Sequence, residues 1–308
     1  MSKIRCKGCA RVKAVVLSLA PAIVSSEAGY YEHLKDTLQE SEADLAVLPA
    51  YTSLLFALGC SKFPGVHHFT GAVHAARNTV PENNDAFFDV HARLAETCGC
   101  YLVPGTFFET AGEELFYHSA PLLDPQGRLL GIQRQTHLSS EEKTLGLSRG
   151  TELTVFDTPI GKLAIVVGTD AWYPEASRIL ALQGAEIVCH PGALPHPLGP
   201  WHQLSGMWKE VQQNQFFCLE SQLFATLWER SFSGQLAIHA PCEMTPDQSG
   251  YLAKGEAGKA VLTARLDREK RAHVIKQYPL LGLLNPQAYQ PYIPGMYCLE
   301  KQEKQGKG

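Results

Sequence analysis

The sequence predicts an α/β fold with a largely buried sheet, and the clearest signal is a strand–helix–strand pattern across residues 162–192. Residues 163–167 form a continuous apolar run of the length expected for a strand that is covered on both faces. Gly168 then permits a sharp turn, and Pro174 suits the first position of a helix because its missing N–H would be unbonded there. A second apolar run at residues 187–189 predicts the next buried strand. We therefore expect a right-handed strand–helix–strand unit.

An earlier segment repeats this pattern, which predicts that the fold consists of two similar halves. The sequence SEADLAVLPA near residue 50 and the sequence QGAEIVCHPG near residue 190 both follow a predicted helix and end a strand at a proline. Such an echo indicates two similar layers stacked on each other. The turn at residues 168–172 lies at the carboxyl end of its predicted strand, where ligands of α/β sheets usually bind. We therefore expect the functional site at this turn.

The remaining elements follow from apolar periodicity, turn residues and helix-end signals. Strands are predicted at residues 13–18, 44–49, 101–105, 115–123, 128–133, 153–156, 216–222, 235–240 and 259–266. Helices are predicted at residues 27–41, 84–98 and 201–215, besides the one that begins at Pro174. The proline-rich segment from Pro286 onward is predicted to cross the surface and end in a charged tail.

Composition and charge favour small-molecule or protein partners. The chain has 308 residues, of which 45% are hydrophobic and 19% charged, as in ordinary globular proteins. Its net charge is -4, and it has no basic stripe of the kind that binds nucleic acid. No apolar run reaches the length of a membrane-spanning helix, so no membrane partner is expected.

The N-terminal region and the cysteines predict the compartment. Basic residues precede the apolar run AVVLSLAPAIV, which could imitate a signal peptide, but we expect a first buried strand there because no clean cleavage site follows. The nine cysteines form an odd, scattered set, which predicts reduced thiols and a cytoplasmic location. Cys6 and Cys9 have the spacing of a zinc half-site, yet without a second pair we expect two thiols in a tail.

Eight sequence segments stand out by their order: AVVLSLAP, ADLAVLPAY, YLVPGTFFE, SAPLLDPQGRLLG, QTHLSSEE, FDTPIGKLAIVV, TDAWYPEASRILALQGAEIVCHP and NQFF. Together they resemble the nitrilase, or carbon–nitrogen hydrolase, superfamily. The resemblance covers residues 12–295, which we expect to form a single domain between tails at residues 1–11 and 296–308. It implies a four-layer α-β-β-α sandwich, with two stacked mixed sheets flanked by helices, and a homodimer or higher homo-oligomer. It implies no cofactor.

The resemblance also implies a site, because members cleave non-peptide carbon–nitrogen bonds of amides, nitriles or carbamoyl groups with a Glu, a Lys and a Cys. The thiolate attacks the carbon, the carboxylate moves protons, and the ammonium stabilises the developing negative charge. In this chain Ala50 stands where the family has the Glu, Gln135 where it has the Lys, and Gly168 where it has the Cys. None of the three can perform its role. Because catalytic groups act as a unit, this pattern predicts loss of hydrolysis.

Other positions of the expected pocket keep polar or aromatic side chains. We expect the pocket to be lined by Tyr51, His137, Glu142, Thr169 and Trp172. Glu142 matches an additional acidic residue of many relatives, and it is predicted either to hydrogen-bond a ligand or to hold the pocket loop. Thr169 could be a substitute nucleophile, but a structural role is expected because neighbouring side chains on a tight turn point in different directions.

Some polar residues have alternative interpretations. Asn214 matches an asparagine of the family, and His118 stands where relatives often carry an asparagine. His190, His196 and His202 could suggest a metal site, but their spacing does not match common ligand patterns. We expect these three histidines to line a cavity or the surface, and no metal site is predicted.

Three functions stay open from the sequence. The favoured hypothesis is a nitrilase-fold protein that has lost hydrolysis and acts by binding a small molecule or another protein. The second is an amidase-type hydrolase with relocated machinery, in which Glu142 has a raised pKa and activates water in an open pocket. That hypothesis loses ground if Trp172 fills the space of the missing groups. The third is a purely structural dimer subunit that needs no pocket.

Overall fold

Two seven-stranded mixed sheets form the centre of the molecule. The computed structural model describes residues 10–19, 26–60, 63–78, 80–112, 114–196, 206–256 and 258–290. The first sheet contains β1 (Arg11–Leu17), β2 (Leu45–Val47), β3 (Tyr101–Val103), β4 (Phe107–Ala111), β5 (Leu115–Leu123), β6 (Leu129–Arg134) and β14 (Val261–Asp267). The second contains β7 (Val155–Thr158), β8 (Gly161–Ile165), β9 (Ile187–Ala193), β10 (Phe217–Leu227), β11 (Arg230–Ser233), β12 (Leu236–His239) and β13 (Tyr251–Lys254).

Helices cover the outer face of each sheet. The first sheet is covered by α1 (Glu27–Ser41), α2 (Thr52–Gly59), α3 (Phe69–Asn78) and α4 (Val80–Cys98). The second is covered by α6 (Pro174–Leu182) and α7 (Trp208–Asn214). Three further helices are α5 (Ser140–Thr144), α8 (Arg268–Gln277) and α9 (Pro286–Tyr289). The order of layers is helix, sheet, sheet, helix, which is the α-β-β-α sandwich that the resemblance implied.

Parallel strands occupy the middle of both sheets. In the first sheet β1, β2 and β3 are parallel neighbours, and in the second β8, β9 and β10 are. Antiparallel strands complete the sheets on either side, including β14 beside β1 and β12 beside β10. The two predicted similar halves therefore correspond to the units β1–α1–β2 and β8–α6–β9. In each unit the second strand ends near the same end of the sandwich.

Alternating side chains explain why both faces of each sheet are buried. On β1, Val16 packs against the other sheet while Leu17 packs against the helices of its own layer. On β8, Ile165 faces the first sheet and Ala164 faces the helical layer of the second. Successive side chains of a strand point to opposite faces, so a continuous apolar run suits a strand covered on both sides.

Most predicted elements are present with shifted ends, and two predictions need correction. β1 begins at Arg11, because Arg11 pairs with Asp267 of β14, whereas a tail was predicted through residue 11. The helix predicted at 201–215 begins at Trp208 in the described chain, and residues 201–205 lie outside the described residues. Residues 1–9 of the predicted N-terminal tail, with Cys6 and Cys9, and the predicted tail at 296–308 also lie outside them. Sequence reasoning missed α2, α3, α5, α8, α9, β4, β11 and β13.

Candidate functional site

A small cavity lies at the end of the sandwich where β2 and β8 stop. Its volume is about 40 Å³. Eight residues named from the sequence line it: Ala50, Tyr51, His118, Glu142, Gly168, Thr169, Trp172 and His190. Four others also contribute to its wall: Gly192, Ala193, Leu194 and Gln222. The carboxyl ends of parallel strands meet here, as expected for a ligand site in an α/β sheet.

Ala50 joins the two sheets at the cavity. It follows β2, and its backbone N–H donates to the carbonyl of Gly192 on β9 at 3.2 Å. The next residue, Tyr51, adopts a left-handed backbone with φ of 60°, and its N–H donates to Thr106 Oγ1 at 2.7 Å. This turn starts α2 and directs the tyrosine ring over the cavity. The alanine methyl group can neither donate nor accept a proton.

Gly168 forms the elbow after β8. Its φ is 51°, a left-handed conformation that glycine adopts without a steric penalty. A short 3-10 turn over Gly168–Trp172 follows, and Pro174 opens α6 as predicted. The turn is held by Asp170, which is fully buried and accepts the backbone N–H groups of Thr136 and His137. The turn at Gly168–Trp172 is therefore held in place by the hydrogen bonds of Asp170 and by the start of α6 at Pro174.

Gln135 lies directly behind this elbow and is fully buried. Its Nε2 lies within hydrogen-bonding distance of Thr169 Oγ1 at 2.6 Å, the His137 carbonyl at 2.8 Å and Glu142 Oε2 at 3.0 Å. Its Oε1 accepts from His118 Nδ1 at 2.6 Å. A Cβ on Gly168 would lie only 3.3 Å from the same oxygen. The amide thus links the polar side chains around the cavity into one network.

Glu142 combines a helix cap with a place in the cavity wall. Ser139 and Glu142 form a capping box at the start of α5, in which the Ser139 N–H donates to Glu142 Oε2 at 2.8 Å. Burial opposes the negative charge most strongly, but the interaction with His118 and the hydrogen bonds with Ser139 outweigh it and lower the pKa of Glu142. The side chain therefore carries a negative charge at neutral pH.

His118 packs beside two aromatic rings. Its ring lies nearly parallel to those of Tyr51 and Phe108, with centroid distances of 5.1 and 5.2 Å. Nδ1 contacts Gln135, and Nε2 lies 2.6 Å from Thr106 Oγ1. The Gln135 nitrogen faces the His137 carbonyl and Glu142, so its oxygen faces His118, and Nδ1 is the donor of that hydrogen bond.

A second polar network extends from the cavity into the second sheet. His190 Nδ1 donates to the Val166 carbonyl at 2.9 Å, and Gln222 Nε2 lies 3.2 Å from His190 Nε2. Gln222 Nε2 also donates to Glu220 Oε1 at 2.9 Å, and His239 Nε2 lies 2.7 Å from Glu220 Oε2. Burial acts most strongly on Glu220 and opposes its charge, but His239 outweighs burial and lowers the pKa of Glu220 to about 2. Burial also lowers the pKa of His190.

Sequence reasoning missed most of this second network, although a signal was present. Glu220 and Gln222 are two residues apart on β10, so their side chains lie on the same face of a strand that is otherwise mainly apolar. Buried polar groups on a strand need partners, and this fact could have identified the pair. His190 was named from the sequence and does line the cavity, whereas His239 was not singled out.

The other residues named from the sequence lie as follows. His137 is beside the cavity and not in its wall: its ring stacks on Tyr173 at 4.0 Å and contacts Asp170. His196 is exposed and contacts Ser233, and His202 lies outside the described residues. Asn214 is buried on α7 and donates to the Glu210 carbonyl. It contributes nothing to the cavity wall.

A family profile matches most of this chain. The profile described as carbon-nitrogen hydrolase matches residues 18–274. The chain belongs to the carbon–nitrogen hydrolase family. One relative is a citrullinase of Francisella tularensis, which is 31% identical over 41% of this chain and 47% of the relative. Another is an N-carbamoylputrescine amidase of Arabidopsis thaliana, which is 30% identical over 61% of this chain and 62% of the relative. The chain thus spans about half to two thirds of the length of these relatives.

The solved structure of a carbon–nitrogen hydrolase from Helicobacter pylori has the same fold. It superposes with a TM-score of 0.72 at 19% identity, over 92% of this chain and 98% of the other. Carbon–nitrogen hydrolases are thus the structural relatives of this sandwich as well as its sequence relatives. At this identity the likeness concerns the fold alone.

The described residues show neither a metal-binding cluster nor a membrane-spanning helix. No cluster of three or more histidine, cysteine, aspartate or glutamate residues there is arranged to hold a metal ion. No helix in that part of the chain combines the length and apolar character needed to cross a membrane.

Proposed function

We propose that this carbon–nitrogen hydrolase homologue acts by binding a small molecule or a protein partner and does not hydrolyse carbon–nitrogen bonds. One observation carries the proposal: Ala50 and Gly168 line the same cavity, and Gln135 lies directly behind Gly168. These are the positions where the resemblance places the catalytic Glu, Cys and Lys, respectively. A methyl group, a neutral amide and a hydrogen atom stand in place of a base, a cation and a nucleophile. Covalent catalysis depends above all on the nucleophile.

Substitute nucleophiles near the cavity are poorly suited. The Thr169 hydroxyl donates to the His137 carbonyl at 2.6 Å, and the carboxylate oxygen Glu142 Oε2 is farther away at 3.4 Å, so the hydroxyl is poorly placed for activation by that base. Among the described residues, no cysteine lines the cavity. The thiols of Cys189 and Cys218 are buried, and burial raises the pKa of each well above its usual value. Neither would be a thiolate at neutral pH.

The alternative of relocated machinery around Glu142 has one observation in its favour, because this carboxylate does line the cavity. Two observations weigh against it. The pKa of Glu142 is lowered, whereas a carboxylate that takes a proton from water near pH 7 needs a raised pKa. Trp172 and its neighbours also leave only about 40 Å³ of space. We therefore keep this function as the second candidate.

The third candidate, a purely structural subunit, is disfavoured because a cavity with a charged wall persists. We include in the proposal a homodimer or higher homo-oligomer in the cytoplasm. The cytoplasmic location is supported by Cys100, Cys189 and Cys218, which are buried thiols outside any disulfide. A native mass spectrum that contains only monomer would contradict the oligomeric part of the proposal.

The test is a hydrolysis panel. Purified protein is incubated with citrulline, N-carbamoylputrescine, a primary amide and a nitrile, and release of ammonia is followed against a protein-free blank. We expect no turnover above the blank. Robust turnover that disappears in Glu142→Gln would overturn the proposal and support the relocated machinery.

A further inference from the structure

Two oxygen atoms in the cavity wall lack a good hydrogen-bond donor among the described residues. Gln222 Oε1 has no partner although the residue is only 2% exposed. Glu142 Oε1 has a contact with His118 Nδ1 at 3.6 Å, which is longer than a normal hydrogen bond. Buried acceptors without donors are costly to a folded protein. A ligand that donates to both atoms would remove this cost.

The orientation of the Gln222 amide follows from its neighbours. Its nitrogen lies 2.9 Å from Glu220 Oε1, which can only accept because the low pKa of Glu220 keeps it ionised. The same nitrogen lies 3.2 Å from His190 Nε2, which is an acceptor because Nδ1 of that ring donates to Val166. The reversed amide would place oxygen against a carboxylate. The unpaired atom of Gln222 is therefore an oxygen.

Three polar side chains of the cavity wall already donate hydrogens within the protein. Gln222 directs its two N–H groups to Glu220 and His190, and Thr169 directs its hydroxyl to the His137 carbonyl. The Nδ1 hydrogen of His118 goes to Gln135. These side chains leave acceptors, and no spare donors of their own, for a ligand. The wall is complementary to a group that is rich in N–H donors.

The wall contains a negative charge. Glu142 is ionised near neutral pH because its pKa is lowered. Gln135, directly behind the wall, contributes a neutral amide. A buried carboxylate is stabilised most by an opposite charge that also hydrogen-bonds. The wall thus favours a cation over a neutral donor.

The size of the cavity limits the group that can enter. One buried water needs roughly 10–15 Å³ on this measure of volume, so the cavity has room for a head of about three or four heavy atoms, and a methyl substituent on that head would lie at its open side. An amidinium or guanidinium head matches this size and carries several N–H donors in one plane. A single ammonium nitrogen would leave part of the space unfilled.

We propose that the cavity binds a small planar cation of the amidinium or guanidinium class, with N–H groups directed to Glu142 Oε1 and Gln222 Oε1. This inference rests on the proposed binding function and adds the ligand class to it. It differs from the neutral amides, nitriles and carbamoyl groups that the family resemblance implied.

The first test uses the unmodified protein and three probes at constant ionic strength. Methylguanidinium carries both charge and N–H donors, urea carries donors without charge, and tetramethylammonium carries charge without donors. Isothermal titration calorimetry is expected to give saturable binding of methylguanidinium, about tenfold or more tighter than urea or tetramethylammonium, because hydrogen bonds to charged groups are stronger than neutral ones. Equal or tighter binding of urea, or no saturable binding of methylguanidinium, would overturn the inference.

The second test removes the charge and keeps the shape. Glu142→Gln is expected to weaken methylguanidinium binding about tenfold or more. Glu141→Gln is the matched control, since Glu141 is the preceding residue, lies outside the cavity wall and pairs with Arg230. Its affinity should equal that of the unmodified protein. Unchanged affinity in Glu142→Gln would contradict the inference, and thermal unfolding curves verify that both variants are folded.

The two proposals fail in distinguishable ways. Hydrolysis of the amide panel would overturn the proposed function, whatever the probe titrations give. Absence of hydrolysis together with preferential binding of urea would overturn only the ligand class.

Discussion

The side-chain nitrogen of Gln135 lies 3.0 Å from Oε2 of Glu142 in the interior of the protein. A neutral donor thus faces a buried carboxylate. The hydrogen bond satisfies the oxygen atom but leaves the negative charge in place. The same amide also receives the Nδ1 hydrogen of His118. Gln135 therefore links several side chains around the cavity, and its replacement should remove hydrogen bonds from more than one of them.

We expect Gln135→Met to lower the free energy of unfolding by at least about 2 kcal/mol, because His118, Thr169 and Glu142 would each lose a buried partner. Urea denaturation followed by circular dichroism measures the change. Gln39→Met on the exposed face of α1 is the matched control and should stay within about 0.5 kcal/mol of the unmodified protein. Equal effects in the two variants would show that the buried network contributes little.

Gly168→Ala is expected to destabilise the fold by more than its backbone strain alone. A left-handed backbone costs a residue with a Cβ about 1–2 kcal/mol, and Gly99→Ala should show only this cost because no atom lies within 4 Å of its new Cβ. At Gly168 the methyl group would also press on Gln135 Oε1 at 3.3 Å. Denaturation of both variants gives the comparison. An identical loss would mean that Gln135 moves aside freely.

The buried pair of Glu220 and His239 should contribute strongly to stability. His239→Ala leaves the carboxylate of Glu220 without its nearest polar partner at 2.7 Å, and we expect a loss of about 3–5 kcal/mol. Lys162→Ala is the control, because Lys162 pairs with Asp157 on the surface and should cost less than about 1 kcal/mol. Chemical denaturation at pH 7 tests both. A small effect of His239→Ala would indicate that water replaces the histidine.

Stability should fall as the pH decreases from 6.5 to 4, in part because of His91. Burial is the main cause that lowers the pKa of His91 to about 4, and its backbone contact with Phe87 only partly opposes this. The unfolded chain, with a histidine pKa of about 6.5, binds the proton first, so acid favours unfolding by up to roughly 3 kcal/mol. His190 acts in the same direction.

The measurement is the free energy of unfolding from urea titrations at several pH values in this range. His91→Gln should give a shallower dependence, because one of the groups that take up protons on unfolding is gone. An unchanged slope would show that His91 binds its proton as readily in the folded protein as in the unfolded chain.

The strand, elbow and helix around Gly168 could be predicted because local rules determine them. Residues 163–167 are apolar without interruption, and Pro174 fixes the start of the next helix. The left-handed φ of Gly168 agrees with the predicted sharp turn. The grouping of Gly168 with Ala50 and Gln135 came from the family resemblance, since nothing in the local sequence places these distant residues together.

Tertiary contacts explain what sequence reasoning did not find. The partners of Gln222 are His190 on β9 and Glu220 on its own strand β10, and His190 meets Gln222 only through the pairing of these two strands. His137 was expected in the pocket wall, but Asp170 and Tyr173 hold its ring outside it. The short helix α2 was missed because it depends on the left-handed Tyr51 and its bond to Thr106. Each of these features depends on residues that are far away in the chain.

The bond from Ala50 to Gly192 fastens one sheet to the other where the cavity forms. Close-packed interiors transmit small displacements, so a slight slide of the two sheets would change the shape of the cavity. Substitutions in the apolar layer between the sheets, for example at Val16 or Ile165, could then alter affinity for a ligand they never touch. Natural selection for ligand affinity would therefore also act on the apolar residues between the two sheets.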